Sequence, residues 1–222
     1  MSPPLICTTV FSYQGGTEIV KRHLPLWQLH SDFVILVYPE DSPSIVEGVE
    51  MMAFGKSNKY GSECLKRQLN GMRHALHHAA DYYVFLEYDA FLLQRPRPRT
   101  GIQANVFYTT EHEFHAPRFY HFPWIFDVAA LQDFVDRATF EPFEKGFVDR
   151  WVAAQTIAMD LAWFDLAAAK EGYSRNTIRS AQEIQKAVDL AKRGAYAFHG
   201  IKTPELLNQI LDASPTSNFV GC

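Results

Sequence analysis

Little in this chain points to a cross-linked or membrane-bound protein. Three cysteines, Cys7, Cys64 and Cys222, lie far apart in 222 residues. Their odd number and the absence of CxxC spacing supply neither a disulfide framework nor a zinc knuckle, so a reduced compartment is expected. Met1-Ser2-Pro3-Pro4 is not the basic start of a signal peptide. Nor does any apolar run approach the roughly 20 residues that cross a bilayer. The expectation is a cytoplasmic protein without a transmembrane segment. An excess of positive charge is missing too. The net charge of −4 argues against broad electrostatic binding of nucleic acid and leaves room only for a local basic patch. The chain has no Walker loop, no GxGxxG and no GxSxG. His112-Glu113-Phe114-His115 spaces its histidines by three rather than four, which excludes the HExxH zinc helix. His74, His77 and His78 share a helix face, a cluster that a solvated surface explains without a metal.

What is present is apolar and aromatic. Hydrophobic residues make up 47% and aromatic residues 14% of the chain, enough for one domain with a full core and for pockets that stack bases and sugars. Apolar runs at Leu5–Phe11, Phe33–Tyr38 and Tyr82–Leu86 read as buried strands, with shorter strands at 49–54, 105–110 and 195–198. Helical patterns run from Thr17 toward His30 with an interruption near Pro25, from Glu63 to about Ala80, from Asp127 to Ala138, from Asp149 to about Lys170 and from Arg179 to Lys192. Thr203-Pro204-Glu205 opens a last helix with a capping hydroxyl, a first-turn proline and an acid. Arg95-Pro96-Arg97-Pro98-Arg99 is a loop. Strands alternating with helices indicate a single α/β domain with a mostly parallel central sheet flanked by helices. Ligands of such sheets gather beyond the carboxyl ends of the strands, where Tyr13, Glu40, Asp41, Glu87 and Asp89 all fall.

The stretch Tyr82-Tyr83-Val84-Phe85-Leu86-Glu87-Tyr88-Asp89 carries the strongest chemical signal. Two carboxylates one residue apart end a buried strand, and burying them unpaired costs several kcal/mol. A hard divalent cation with a phosphate-bearing substrate is the common counter-charge. A strand end that turns into solvent is the plainer reading.

Glu87-Tyr88-Asp89 resembles the DxD motif of nucleotide-sugar glycosyltransferases with the GT-A fold, a Rossmann-like domain, with Glu in place of the usual first Asp. Phe198-His199-Gly200-Ile201-Lys202 looks like the C-terminal His, Gly and Lys element that closes the site in glycogenin-like and bacterial sugar transferases. The proline-tryptophan pair that ends that element is replaced by Thr203-Pro204. The resemblance implies a nucleotide-sugar-binding half at 1–110 and an acceptor half with the closing segment at 111–222. It implies that Asp89, Glu87 and His199 hold Mn²⁺ or Mg²⁺, and that Lys202 holds a donor phosphate. Two carboxylates, an imidazole and phosphate oxygens suit an octahedral ion of that kind.

Position and the same resemblance assign the remaining candidates. Tyr13 is placed to stack a uracil and Asp41 to bind its edge or the ribose. The helix bearing Arg67 and Asn70 resembles the basic helix that precedes the metal strand in such enzymes. That implies Arg67 for the diphosphate and Asn70 for the nucleotide, although a solvated face explains the same charges. Asp149 opens a late helix, where the resemblance implies an acceptor-site acid and an inverting enzyme needs a base, or it satisfies free helix amides. His121-Phe122-Pro123-Trp124-Ile125-Phe126 is either an acceptor wall or core. The function expected is hexose transfer from a UDP-sugar to a glycan hydroxyl. The alternatives are transfer to a hydroxymethylated base in viral DNA, gripped by Arg95, Arg97 and Arg99, or a non-catalytic nucleotide-binding protein.

Overall fold

The computed structural model describes residues 3–12, 17–41, 46–56, 62–108, 118–139, 148–175 and 178–215. Its strands are β1 Ile6–Phe11, β2 Phe33–Tyr38, β3 Glu50–Ala53, β4 Tyr82–Glu87, β5 Phe91–Leu92, β6 Ile102–Tyr108, β7 Arg118–Asp127, β8 Trp163–Asp165, β9 Gly172–Ser174 and β10 Ala197–His199. Its helices are α1 Thr17–His30, α2 Ser62–Ala75, α3 Val128–Arg137, α4 Val148–Ala158, α5 Ala181–Lys192 and α6 Pro204–Ala213. None of the described helices is long and apolar enough to cross a membrane.

The main sheet has the order β3-β2-β1-β4-β7-β6-β8. Neighbours β3, β2, β1 and β4 are parallel, β7 is antiparallel to both β4 and β6, and β8 is parallel to β6. Six strands therefore share one direction and β7 opposes them. This is the α/β sheet expected from the apolar runs. Val84, Phe85 and Leu86 of β4 are buried because strands cover both edges and side chains pack on both faces. β5, β10 and β9 form a second, three-stranded sheet.

Three expectations need correction. The first concerns the late helix, which stops at Ala158 instead of running toward Lys170. Asp160 takes a left-handed φ of 55°, and the Leu161 N–H reaches back to the Thr156 carbonyl at 3.0 Å while the Asp160 N–H reaches Ile157 at 3.1 Å. Those two bonds close the helix in a Schellman turn. Beyond it, the Asp165 carboxylate accepts from the Ala167 and Ala168 amides at 2.9 and 3.0 Å, a local alternative to helix. Second, α2 ends at Ala75, short of Ala80. Third, α1 continues through Pro25.

β7 is the strand that the sequence conceals. Pro123 lies inside it, and proline normally argues against a central strand. Here the proline coincides with an irregularity in the β6–β7 register between Gln103 and Asn105, so it interrupts no regular ladder bond. The aromatic run is core: Phe122, Trp124, Ile125 and Phe126 are all buried.

Candidate metal and acid centre

β4 ends at Glu87, and the chain turns through Tyr88 and Asp89, with the Ala90 amide donating to the Glu87 carbonyl at 2.9 Å. The turn puts the Asp89 carboxylate inside the protein, 1% exposed, while Glu87 stays partly open. α1 buttresses the turn through Trp27, whose indole N–H donates to the Ala90 carbonyl at 2.9 Å. Antiparallel pairing of β5 with β10 sets Phe198 opposite Phe91, and the Ile201 amide donates to the Asp89 carbonyl at 3.1 Å. Gly200, with φ 88°, supplies the left-handed turn between them. Backbone pairing thus carries His199 and Lys202 to the acids across more than a hundred residues of sequence.

The result is a compact charged group. His199 Nε2 lies 2.9 Å from Glu87 Oε2 and 3.4 Å from Asp89 Oδ1, and Lys202 Nζ lies 3.3 Å from Asp89 Oδ2. Burial alone would lower the His199 pKa, but the Asp89 and Glu87 carboxylates outweigh it and hold it up at about 10. Burial would likewise raise Asp89, and His199 with Lys202 pulls it below the usual carboxylate range. Tyr88, between the acids, is pushed up to about 12 by burial and by both carboxylates. The protein offsets two carboxylates with a proton on His199 and the ammonium of Lys202.

The other imidazole nitrogen is also held. His199 Nδ1 lies 2.8 Å from Ser174 Oγ, and Ser174 Oγ lies 2.9 Å from His121 Nδ1. His121 Nε2 faces Asp149 Oδ2 at 3.7 Å. Burial, then the charges of His199 and Arg175, pushes His121 down to about 3, so it is neutral. A neutral His121 accepting the Ser174 hydroxyl leaves that oxygen to accept from His199 Nδ1–H, an assignment set by the network. This tautomer points His199 Nε2 at the two acids, as an imidazole ligand must. Burial first, and Glu87 second, pushes Asp149 up to about 8.

Glu87, Asp89 and His199 present three ligand atoms within 4.8 Å of one another, so the group can hold a metal ion. The donor set fits a hard or borderline divalent cation: two carboxylates, one oriented imidazole, and an Asp89 Oδ1 that is buried without a hydrogen bond.

The expected site residues are thus placed unequally. Glu87, Asp89, His199 and Lys202 meet directly, and Asp149 joins them through His121 and Ser174. Asp41 is exposed in the turn after β2. Arg67 on α2 has no exposed surface and donates from Nη1 to the Lys56 carbonyl at 2.9 Å, tethering that loop; Asn70 is half-buried on the same helix. Tyr13 lies outside the described residues. Ser174 went unassigned in the sequence, and His121 was read only as part of an acceptor wall or core. His121 carried a usable signal, a titratable side chain inside an apolar run; Ser174 carried none.

The arginine tract is engaged by the protein itself. Arg95 pairs with Asp32 at 3.0 Å, and Arg97 and Arg99 share Glu171 at 2.6 and 2.8 Å. Arg99 also lies over the Phe164 ring, 3.8 Å from its centroid. On the far side of Ser174, a cavity of about 680 Å³ opens between β9 and α5, with Tyr173, Arg175, Lys186 and Arg193 in its wall.

No protein-family model matches the chain, and no curated protein matches its sequence.

Proposed function

We propose that the protein is a metal-dependent glycosyltransferase that moves a hexose from a nucleotide sugar, a UDP-sugar, to a glycan hydroxyl. One observation carries this reading: a buried acid at the carboxyl end of a parallel strand meets a histidine and a lysine delivered by the C-terminal segment. Ligands of open α/β sheets bind at that edge, and the four side chains offer a cation site beside a phosphate-binding ammonium.

In this reading Asp89, Glu87 and His199 hold Mn²⁺ or Mg²⁺, which when bound offsets charge on the departing diphosphate. Lys202 turns from Asp89 to a phosphate oxygen. Ser174 keeps the His199 ring oriented. Asp149 takes the acceptor proton, and a pKa near the working pH suits a general base. The cavity beyond Ser174 is walled without Asp149 or the metal group, so its cationic wall suits an acidic, remote part of the acceptor glycan rather than its reacting hydroxyl. The engagement of Arg95, Arg97 and Arg99 with carboxylates favours a glycan over a nucleic acid.

The test is a panel of nucleotide sugars with Mn²⁺, read as release of nucleoside diphosphate. At least one donor should be hydrolysed slowly without acceptor, and a chelator should stop it. Absence of binding and turnover with every donor, with and without metal, would refute the reading.

A further inference from the structure

The acids of the carboxyl edge are not the only place where ligand atoms converge. At the other end of the parallel strands, Glu50 opens the edge strand β3, and α2 finishes beside it. His74 is in the last turn of α2. His78 follows in the turn that continues it, its amide donating to the Ala75 carbonyl at 3.0 Å. The spacing of four places both imidazoles on one side, as an i, i+4 pair must lie. His74 Nε2 is 2.5 Å from Glu50 Oε1, and His78 Nε2 is 2.9 Å from Glu50 Oε2. The His78 ring is braced by Phe33 of β2, with centroids 4.9 Å apart.

We propose that Glu50, His74 and His78 form a second metal site, specific for a borderline d-block dication of the zinc type. Their three ligand atoms lie within 4.8 Å of one another. A tetrahedral zinc with ligands at about 2.0–2.1 Å separates them by about 3.3 Å, so Glu50 need withdraw by less than about 1 Å. Both imidazoles turn the same nitrogen to the carboxylate. As a bare cluster they need two Nε2 protons there, whereas a cation takes both lone pairs and the carboxylate together. The carbonyl end of α2 adds its negative pole. Two imidazoles and one carboxylate prefer zinc, cobalt or nickel to magnesium or manganese, more strongly than the two carboxylates and one imidazole of Glu87, Asp89 and His199 do. Entry is open: Glu50 lines a surface cavity of about 500 Å³ with Gln28, Ser31, Asp32 and Gly48. Three protein ligands leave one position for water, and the ion clamps an otherwise exposed edge strand onto α2.

Tag-free full-length protein, stripped with chelator, is titrated with Zn²⁺ against a chromophoric chelator, and with Co²⁺ by visible absorption. The wild type should bind one equivalent of zinc that a large excess of Mn²⁺ does not displace, and Co²⁺ should give the intense visible bands of a four-coordinate ion. Asp89→Asn should keep this equivalent, which separates the site from the proposed catalytic one. The double variant His74→Gln/His78→Gln, and independently Glu50→Gln at its partly exposed carboxylate, should weaken zinc at least 100-fold with unchanged circular dichroism. Failure of the wild type to bind zinc at micromolar concentration, undiminished binding in Glu50→Gln, or complete loss of zinc in Asp89→Asn would each overturn the proposal.

Discussion

Replacing Asp89 by asparagine separates the structural from the ligand-binding role of the buried acid. Without metal, the wild-type carboxylate faces His199 at 3.4 Å and Lys202 at 3.3 Å. Removing one partner of a fully buried pair costs about 3–5 kcal/mol, but here two routes relieve the loss. Lys202, with a side chain 31% exposed, can turn to solvent, and His199 still has Glu87 at 2.9 Å. A loss of about 2 kcal/mol is therefore expected, in the range of one charge-assisted hydrogen bond. For a chain of this size that lowers Tm by roughly 4–8 °C. With Mn²⁺ and a nucleoside diphosphate at about 100 Kd, the wild type should gain about 2.7 kcal/mol, a rise of roughly 5–11 °C. Loss of a direct carboxylate ligand should weaken binding by at least the ~100-fold seen at the upper end for outer partners. At the same concentrations the variant then gains only about 0.4 kcal/mol, a rise of roughly 1–2 °C. Thermal melts of both proteins, each with and without ligands, give all four numbers. A variant whose Mn²⁺-dependent rise equals that of the wild type would show that Asp89 does not bind the cation.

Three further outcomes follow from the packing and the shifted groups. Gly101 has φ 87°, and a Cβ there would run into the backbone carbonyl of Ala162, so Gly101→Ala should cost about 3 kcal/mol and lower Tm by roughly 6–12 °C; an unchanged melt would refute the fit. Burial opposes ionisation of Glu171, but Arg99 and Arg97 hold its carboxyl below the ordinary 4.5, so its stabilisation is present above pH 4.5 and is lost as pH falls through the depressed value. The Tm gap between wild type and Glu171→Gln should accordingly be widest at neutral pH and shrink in acid, and a constant gap would deny the pairing its role. His23 is buried and held down to about 4 chiefly by burial, so its stabilising contribution is present above pH 6.5 and is lost as pH falls toward 4. Between pH 6.5 and 5 this amounts to about 2 kcal/mol; urea unfolding of His23→Phe should lack that dependence, and an equal slope in both proteins would count against it.

Local patterns in the chain were enough to locate β1, β2 and β4, because strands covered on both faces must be continuously apolar, and two carboxylates after such a run stand out against it. They were enough for α6 as well, where Thr203 caps and Pro204 starts the helix, as the Thr203 hydroxyl accepting the Leu206 amide at 3.3 Å shows. β7 was hidden, because the register irregularity that accommodates Pro123 belongs to the pairing with β6 and not to the run itself. The end of α4 was hidden for a related reason: alanines and leucines around 161–169 favour helix locally, and pairing of β8 with β6 adds to the turn at Asp160 in favouring extension. The same division holds at the site. The acids and the His199–Lys202 segment were visible as types and order, whereas their meeting was decided by the β5–β10 ladder. Ser174 and Glu171 show the limit most plainly, since a serine and a glutamate acquire a role only when distant chain brings an imidazole to one and two guanidinium groups to the other. Residue order determined which charges would need partners; tertiary packing, by removing water from around them, decided which partners they found.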